Sequence, residues 1–506
     1  MYRKKLWQLI FVTTVLRILA ASILELGNDE VYYYTYALHI QSNYFDHPPG
    51  VALLIRIFTL NLSLHYEAFV RLGSVCCAAV GTFLAFKIGE GIKNEKTGWF
   101  AALLYSTSLY TSIIAGIFIL PDSPQVIFWL ASLWYMLQIT RRAQSQLPVG
   151  FITWVALGVT IGLCILCKVH GVFLWLGLGL YIVSFQRNLL KEPGLYMGAL
   201  ITACIVSPVI FWNINNQFVT WNYHSHRVNS THFDRDGFFQ ALLGQFFYNN
   251  PVNVMLTILG IRGTCYVNKA NFASRILLCC GFPIIITVTI MSAFNTVLPH
   301  WSGPGFLSLL FFAALYLEQT PQNRSRKYPG AIKYASGFIF ALFTLGMLLI
   351  ELYPGTLGKR NKIDYGENDF TLDMYGWKNF GGEFSKWYTQ QQGSKQVQSP
   401  LKIVDGKWFP AAHLDFYVAY PLRAVLIGKG SMQDLHHFLW LNNYRPPLRL
   451  HDTAMAIVPS NYPTDPTNSY RDYFDHVTLI KTFIQYRSGQ ICRYFRVYRL
   501  ENYNGR

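Results

Sequence analysis

Apolar runs recur along this chain from its N-terminus to about residue 350 and then stop. Runs of roughly 18 or more residues are long enough for an α-helix to cross a hydrocarbon core of about 30 Å. The composition agrees, because 52% of the 506 residues are hydrophobic and only 13% are charged. The sequence therefore predicts an α-helical polytopic membrane protein and excludes an ordinary soluble protein.

The apolar runs predict about eleven transmembrane helices. They lie near 6–24, 68–90, 98–118, 124–140, 150–167, 171–186, 195–212, 238–261, 275–294, 304–317 and 331–350. With the N-terminus inside, every loop assigned to the inner side contains Lys or Arg, as the positive-inside rule requires. These loops explain much of the net charge of +16, so no nucleic-acid partner is predicted.

An odd number of spans places residues 351–506 outside the membrane. Short apolar runs at 424–428 and 454–458 alternate there with turn residues, which predicts a mixed α/β domain. A stretch rich in Gly, Asn and Gln near 381–399 is expected to be a surface loop. The chain is therefore divided into a transmembrane domain, residues 1–350, and an extracytoplasmic domain.

The first outer segment, residues 25–66, is the most informative part of the sequence. Asp29 and Glu30 follow the first span, and an aromatic stretch at 32–36 continues in helical register, which indicates an interfacial helix. Adjacent carboxylates at a membrane boundary are costly unless they are solvated or used. The alternative is helix capping by Asn28 or Asp29, because acids favour the first helical turn.

Capping does not explain the D-H-P-P sequence that begins at Asp46 in the same segment. A second acid and His47 precede a double proline, which stops any helix and fixes where the chain re-enters. Asp122 lies between two prolines at the outer end of a later span. It is either a functional acid or an N-cap of the helix that follows.

Four motifs together resemble a family of membrane enzymes. They are D-E-x-x-Y from Asp29, Y-F-D-H-P-P from Tyr44, P-D-S-P from Pro121 and H-W from His300. In this order, over about residues 1–350, they are similar to the protein mannosyltransferase and aminoarabinose transferase superfamily, most closely to its bacterial branch. The resemblance implies the GT-C fold of polytopic glycosyltransferases.

The resemblance also implies roles for the acids. In that family the acid of the first outer loop acts at the reaction centre, and this role falls on Asp29. Glu30 supports Asp29, orients a ligand or caps the helix, and Asp122 matches a second acid of the family. The roles make chemical sense, because transfer from a sugar phosphate needs an acceptor for the proton of the attacking hydroxyl and cations for the departing phosphate.

Lys168, Arg227 and Arg56 are the candidate phosphate-binding residues. Lys168 lies at the outer end of an apolar hairpin, where an ammonium needs a partner, an anionic ligand or access to the interface by snorkelling. His226 and Arg227 belong to a polar, aromatic outer loop that resembles the corresponding loop of the family. Simple solvation is the alternative for an arginine in such a loop.

Asp46, His47 and His300 complete the predicted substrate-binding set. The two histidines are candidates for bases or metal ligands, and a structural hydrogen-bonding role is the alternative for each. No local cluster has metal-ligand spacing, so no cofactor is predicted to be required. A divalent cation bound by distant acids such as Asp29 and Asp122 is left open.

Two other functions compete with transfer. A transporter or flippase of lipid-linked sugars would also be polytopic. Transporters, however, have paired halves with broken helices and bind their substrates near the bilayer midplane, whereas the acids of this sequence lie in outer loops. A simple anchor would not need about eleven spans. The prediction is an inverting glycosyltransferase of a bacterial inner membrane, with a polyprenyl-phosphate sugar as donor and a lipid, glycan or protein as acceptor.

Overall fold

The computed structural model describes residues 2–226, 232–266, 271–323, 325–392 and 400–505. The chain forms two compact units. The first unit comprises Met1–Ala21 and Ile40–Leu342, and the second comprises Ser22–His39 and Phe343–Arg506. The segment Ser22–His39, which the sequence division assigned to the transmembrane part, is thus grouped with the C-terminal residues.

Helices dominate the chain up to residue 352. In chain order they are α1 (Tyr2–Ile23), α2 (Asn28–Leu38), α3 (Gly50–Phe58), α4 (Glu67–Ile92), α5 (Glu95–Thr107), α6 (Asp122–Gln144), α7 (Phe151–Cys167), α8 (Val172–Phe185), α9 (Pro193–Asn215), α10 (Val219–His226), α11 (Arg235–Tyr248), α12 (Pro251–Tyr266), α13 (Phe272–Ser292), α14 (Gly303–Gln319) and α15 (Gly330–Leu352). Every predicted apolar run overlaps at least one of them.

Six helical stretches among the described residues are long and apolar enough to cross a membrane. They are Tyr2–Ile23, Glu67–Ile92, Pro193–Asn215, Phe272–Ser292, Pro299–Gln319 and Gly330–Leu352. Two shorter apolar stretches, Phe151–Cys167 and Val169–Phe185, accompany them. The chain is therefore a multi-pass membrane protein, while the number of eleven spans stays a prediction.

The predicted span at 238–261 is two helices, because the backbone breaks at Asn250. This residue has a left-handed φ of 66°, and Pro251, which has no N–H to donate, begins α12. The Asn250 side-chain amide donates to the carbonyls of Thr107, at 2.8 Å, and Ala335, at 3.0 Å. The break is therefore held by the neighbouring helices rather than left to solvent.

The second unit contains a mixed five-stranded sheet among its described residues. Its strands are β1 (Lys402–Asp405), β2 (Val425–Gly428), β3 (Ala454–Pro459), β4 (Phe474–Arg487) and β5 (Gln490–Tyr503), in the order β2-β1-β3-β5-β4. β1 is parallel to β2 and β3, and the pairs β3–β5 and β4–β5 are antiparallel. The prediction of a mixed α/β C-terminal domain is confirmed, and the two apolar runs singled out in the sequence are β2 and β3.

Helices flank this sheet. They are α16 (Trp377–Gln392), α17 (Trp408–Leu414), α18 (Tyr420–Leu422), α19 (Met432–Leu435), α20 (Phe438–Leu441) and α21 (Pro466–Tyr470). The loop expected at 381–399 is wrong up to residue 392, because Phe380 and Phe384 form one apolar face of α16. Phe380 stacks on Phe495 at 3.8 Å between ring centroids. The rest of that stretch, 393–399, lies outside the described residues.

The aromatic face of α2 is buried in the second unit. Tyr32, Tyr34 and Tyr36 are between 0 and 3% exposed. Tyr32 packs against Trp408 at 4.9 Å and Tyr34 against Phe416 at 4.8 Å between ring centroids. The helix predicted here is present, but these rings pack against protein, so the expectation of an interfacial helix is wrong for this face.

Candidate functional site

The first unit holds a buried ion pair at the start of α6. Asp122 Oδ2 lies 2.7 Å from Lys168 Nζ, and the two side chains are only 2% and 3% exposed. Asp122 Oδ1 accepts a hydrogen bond of 3.1 Å from the Tyr110 hydroxyl. His300 Nε2 lies 4.0 Å from Oδ2. The carboxylate is thus surrounded by one cation and two further polar groups.

These contacts decide two alternatives left open by the sequence. Asp122 is the first residue of α6, whose N-cap residue is Pro121, and no side-chain hydrogen bond caps the helix. Lys168 follows the last residue of α7, and its ammonium turns into the protein to meet Asp122 instead of reaching outward. Helix capping by Asp122 and snorkelling by Lys168 are therefore not what the structure shows.

A pocket of about 180 Å³ lies beside this ion pair. Its polar lining includes His47, Lys168, His170 and His224, and the apolar lining includes Phe173, Val288, Met291 and Trp301. A lysine and three imidazoles therefore face a cavity whose remaining walls are mostly apolar. Such a cavity can accept a molecule with a polar head and an apolar body.

Close packing brings the D-H-P-P segment to this pocket. α3 begins at Gly50, immediately after the double proline, and a Cβ at Gly50 would lie 2.8 Å from the Cα of Cys167. Only glycine allows α3 to approach the end of α7 this closely. His224 then donates from Nε2 to the carbonyl of Asp46 at 2.9 Å, so α10 and the D-H-P-P segment are held together.

His47 is a neutral imidazole in this setting. Loss of hydration on burial lowers its pKa to about 4, although the nearby Asp46 carboxylate favours the charged ring. A neutral imidazole can donate from one nitrogen and accept at the other. His47 can therefore orient a ligand by hydrogen bonding at neutral pH without contributing a positive charge.

Three predicted residues are placed elsewhere or lie outside the description. Arg56 is on α3, where its guanidinium donates to the Asn61 side chain, and it is absent from the described lining of the pocket. His226 is the last residue of α10, and nothing is described of its side chain. Arg227 lies outside the described residues. Their predicted roles in substrate binding stay predictions.

The second unit positions Asp29 by holding both of its neighbours. The Asn28 amide donates to Asp373 Oδ2 at 2.9 Å, and its oxygen accepts from His413 Nε2 at 3.1 Å. On the other side, Glu30 is 2% exposed, and its carboxylate accepts from the Gly27 backbone N–H at 2.8 Å. Asp29 itself is exposed. The helix start is therefore fixed while the Asp29 carboxylate remains accessible.

Glu30 closes the first turn of α2. Its carboxylate bonds the backbone of Gly27, the N-cap residue, as in a capping box. Of the three roles weighed for Glu30, capping is the one that the structure shows directly.

Asp373 is expected to make the second unit less stable as the pH rises from about 4 to about 6. Burial raises its pKa to about 6, although hydrogen bonds from Tyr462 and Asn28 oppose the shift. An unfolded aspartate titrates near pH 4. Between these values the unfolded state binds fewer protons than the folded state, so the free energy of unfolding falls as the pH rises.

Thermal unfolding of the wild type and of Asp373→Asn between pH 4 and pH 8 measures this effect. The melting temperature of the wild type should fall by several degrees relative to the variant up to about pH 6. Above that the two curves should run parallel. Parallel curves over the whole range would contradict the assignment of the raised pKa to Asp373.

Sequence reasoning missed Tyr110, His224 and Asp373, and it considered Asn28 only as a helix cap. None of them belongs to a motif, and Asn28 and Asp373 are separated by 345 positions in the chain. For a metal, the described residues contain no group of three or more His, Cys, Asp or Glu side chains arranged to bind one. The question of a divalent cation therefore stays as the sequence left it.

Residues 46–212 match the model of the family described as dolichyl-phosphate-mannose-protein mannosyltransferase. The fold is similar to that of ArnT from Cupriavidus metallidurans in the apo state, with 14% identity, 98% of each chain covered and a TM-score of 0.63. The chain has the GT-C fold. The fold is also similar to that of the same transferase bound to undecaprenyl phosphate, with 14% identity, 97% of each chain covered and a TM-score of 0.60.

The predicted resemblance to this group of membrane glycosyltransferases is confirmed by these matches, and the bacterial branch is consistent with them. The matched range contains Asp46, His47, Asp122 and Lys168, whereas Asp29 lies before it. No curated protein matches the chain in sequence. The similarity in fold thus extends over nearly the whole chain, whereas the match to the family model covers the part that contains the buried ion pair.

Proposed function

We propose that this chain is a membrane glycosyltransferase that moves a sugar from a polyprenyl-phosphate donor to a hydroxyl group of an acceptor. The observation that carries the proposal is the pocket next to the buried pair of Lys168 and Asp122. A polyprenyl-phosphate sugar has an anionic polar head and a long apolar tail, and this pocket combines a lysine and imidazoles with apolar walls. The GT-C fold shared with a transferase that binds undecaprenyl phosphate supports the same donor class.

Lys168 provides the charge that phosphate departure requires. As the bond between the anomeric carbon and the phosphate oxygen breaks, negative charge accumulates on polyprenyl phosphate, and an ammonium in a low-dielectric site stabilises it. An ammonium has three N–H donors, one of which is directed to Asp122. Asp122 holds Lys168 in place, and His47 and His300 orient the donor. In this proposal Arg56, His226 and Arg227 are additional contacts to the donor head group.

Asp29 receives the proton of the acceptor hydroxyl. The hydroxyl oxygen forms a bond to the anomeric carbon from the face opposite the phosphate, so the configuration at that carbon inverts. The proton passes to the Asp29 carboxylate, and polyprenyl phosphate leaves with the electron pair. Glu30 keeps the helix start in place, and Asp46 orients a ligand. The reaction balances without a cofactor, and a divalent cation would add charge neutralisation at the phosphate.

The second unit, with its α/β sheet, is proposed to face the outside of a bacterial inner membrane and to meet the acceptor there. This placement follows from the positive-inside rule applied to the basic loops of the first unit. A lipid, a glycan or a protein could each offer the hydroxyl that attacks.

Transfer of a radiolabelled sugar in proteoliposomes tests the function. The purified protein receives a mixed pool of polyprenyl-phosphate monosaccharides and a membrane extract as acceptor, and transfer is read from label that has left the carrier lipid. Label on an acceptor supports the proposal. Movement of the labelled lipid between leaflets without transfer would overturn it in favour of a flippase, which is the alternative function.

A further inference from the structure

A second pocket, of about 370 Å³, lies wholly within the second unit. We call it the sheet pocket. Its lining includes Glu367, Asp373, Lys407, Phe409, Asn461 and Tyr462. None of these residues was singled out in the sequence. The lining is mostly polar and aromatic, unlike the apolar walls of the pocket in the first unit.

Asn461 is the most informative residue of the sheet pocket. It follows β3 and is only 3% exposed. Within the described part of the chain, neither its amide nitrogen nor its amide oxygen has a hydrogen-bond partner. A buried polar group without a partner costs about 1–3 kcal/mol, so proteins seldom keep one without a use. Asn461 thus places a buried amide that lacks a described protein partner among the residues that line a pocket.

Aromatic rings stand beside this amide. Phe409 and Tyr462 pack edge to face at 4.3 Å between ring centroids, and Phe370, which also lines the pocket, is 66% exposed. A sugar ring presents C–H groups on its faces, which pack on aromatic rings, and hydroxyls on its edge, which both donate and accept. An amide, a carboxylate and aromatic rings around one cavity therefore match a carbohydrate.

The charges of the pocket narrow the class of sugar. Glu367, Asp369 and Asp373 are acidic, and Lys407 is the basic residue of the described lining. Glu367 is paired with Lys359 at 2.7 Å and Asp369 with a buried arginine at 3.0 Å, while Asp373 accepts from Tyr462 at 2.8 Å. Three carboxylates against one lysine disfavour phosphorylated or uronic sugars, because like charges repel. Neutral and amino sugars remain.

We propose that the sheet pocket binds a neutral or amino sugar of the acceptor, which makes the acceptor a glycan or a glycolipid. The assignment to an acceptor rests on the proposed transferase function, whereas sugar binding itself does not. Asp373 lines the pocket and accepts from Asn28, the residue before Asp29. A sugar that contacts Asp373 in the sheet pocket is therefore linked to the proposed base, Asp29, through the hydrogen bond between Asp373 and Asn28 and the peptide bond that follows Asn28.

Binding of maltose and of chitobiose to the full chain tests the proposal. The protein is kept in a detergent without a sugar head group, and binding is measured by saturation-transfer NMR. Asn461→Leu replaces the unpaired amide by an apolar group of similar size. It should weaken binding about tenfold or more while the melting temperature stays equal or rises. Asn379→Leu, at an exposed position of α16 outside this pocket, is the matched control and should bind like the wild type.

Thr464→Arg provides a second variant in case Asn461→Leu does not fold. Thr464 is an exposed residue of the pocket lining, so a long side chain there should block binding without changing the core. Absence of binding by the wild type, or equal binding by the wild type and a folded pocket variant, would overturn the proposal. Equal binding by a folded pocket variant would mean that the Asn461 amide bonds ordered water rather than a sugar.

The same preparation separates this proposal from the proposed function. Asp29→Asn should bind both disaccharides like the wild type, since Asp29 does not line the sheet pocket. Sugar binding that depends on Asn461, without any transfer by the wild type, would support the sugar site and overturn the proposed transferase function. Transfer without such binding would overturn the sugar site alone.

Discussion

Asp29→Asn is expected to lower the rate of sugar transfer by about 10²–10⁴-fold, which is the usual contribution of a general base. An asparagine keeps the size of the side chain but cannot accept the proton of the attacking hydroxyl. The fold should be unaffected, because Asp29 is exposed and the start of α2 is held by its neighbours Asn28 and Glu30. Donor binding should also be retained, since the proposed phosphate contacts lie on other residues.

Single-turnover transfer and donor binding, measured on the same proteoliposomes, separate chemistry from affinity. Asp472→Asn removes another exposed carboxylate from the second unit and serves as the matched control. It should transfer at the wild-type rate. If Asp29→Asn transferred as fast as this control, the base would have to be another acid, and Asp46 would be tested next.

Lys168→Met is expected to abolish detectable transfer and to destabilise the first unit by about 3–5 kcal/mol, the usual result of breaking a buried ion pair. The variant leaves the Asp122 carboxylate buried without its cation. It also removes the charge that would stabilise the departing phosphate. Asp122→Asn should destabilise for the converse reason, because the ammonium then loses its partner.

The double variant, Asp122→Asn with Lys168→Met, distinguishes stability from function. Removing both charges should restore the melting temperature nearly to that of the wild type, because neutralising a whole buried pair costs little. Transfer should remain lost. Lys87→Met, which breaks a partly exposed pair with Glu90, is the control and should change stability by about 0–1 kcal/mol. Recovered transfer in the double variant would show that the pair is structural only.

The sequence predicted the helices well because transmembrane segments are defined by length and apolarity alone. It failed where a local signal competed with packing. Gly381 suggested a loop, yet it lies inside α16. A glycine is needed at this helical position because a Cβ there would lie 2.1 Å from the Tyr417 carbonyl oxygen. The aromatic stretch of α2 suggested a membrane interface, because tyrosines favour such interfaces, but tertiary packing placed them in a protein core.

The candidate site could be predicted only in part for a similar reason. Asp122 and Lys168 were each recognisable as an unusual charge at the end of an apolar run, but their pairing spans 46 positions and depends on how α6 packs against α7. Gly50, which lets α3 approach α7, shows its role only in the packed structure. Asn28 carried only the signal of a helix cap, and Asp373 belongs to no motif, so their hydrogen bond could not be predicted.

The grouping of Ser22–His39 with the C-terminal residues has a consequence for how the protein is made. The ribosome completes α2 more than 300 residues before Asp373, His413 and Tyr462. N-terminal segments usually fold first during synthesis, but here the hydrogen bonds that hold Asn28 can form only after residues 373 and 413 have been made. Asp29 therefore reaches its final position late, and a nascent or truncated chain that ends before Asp373 would lack these partners of Asn28.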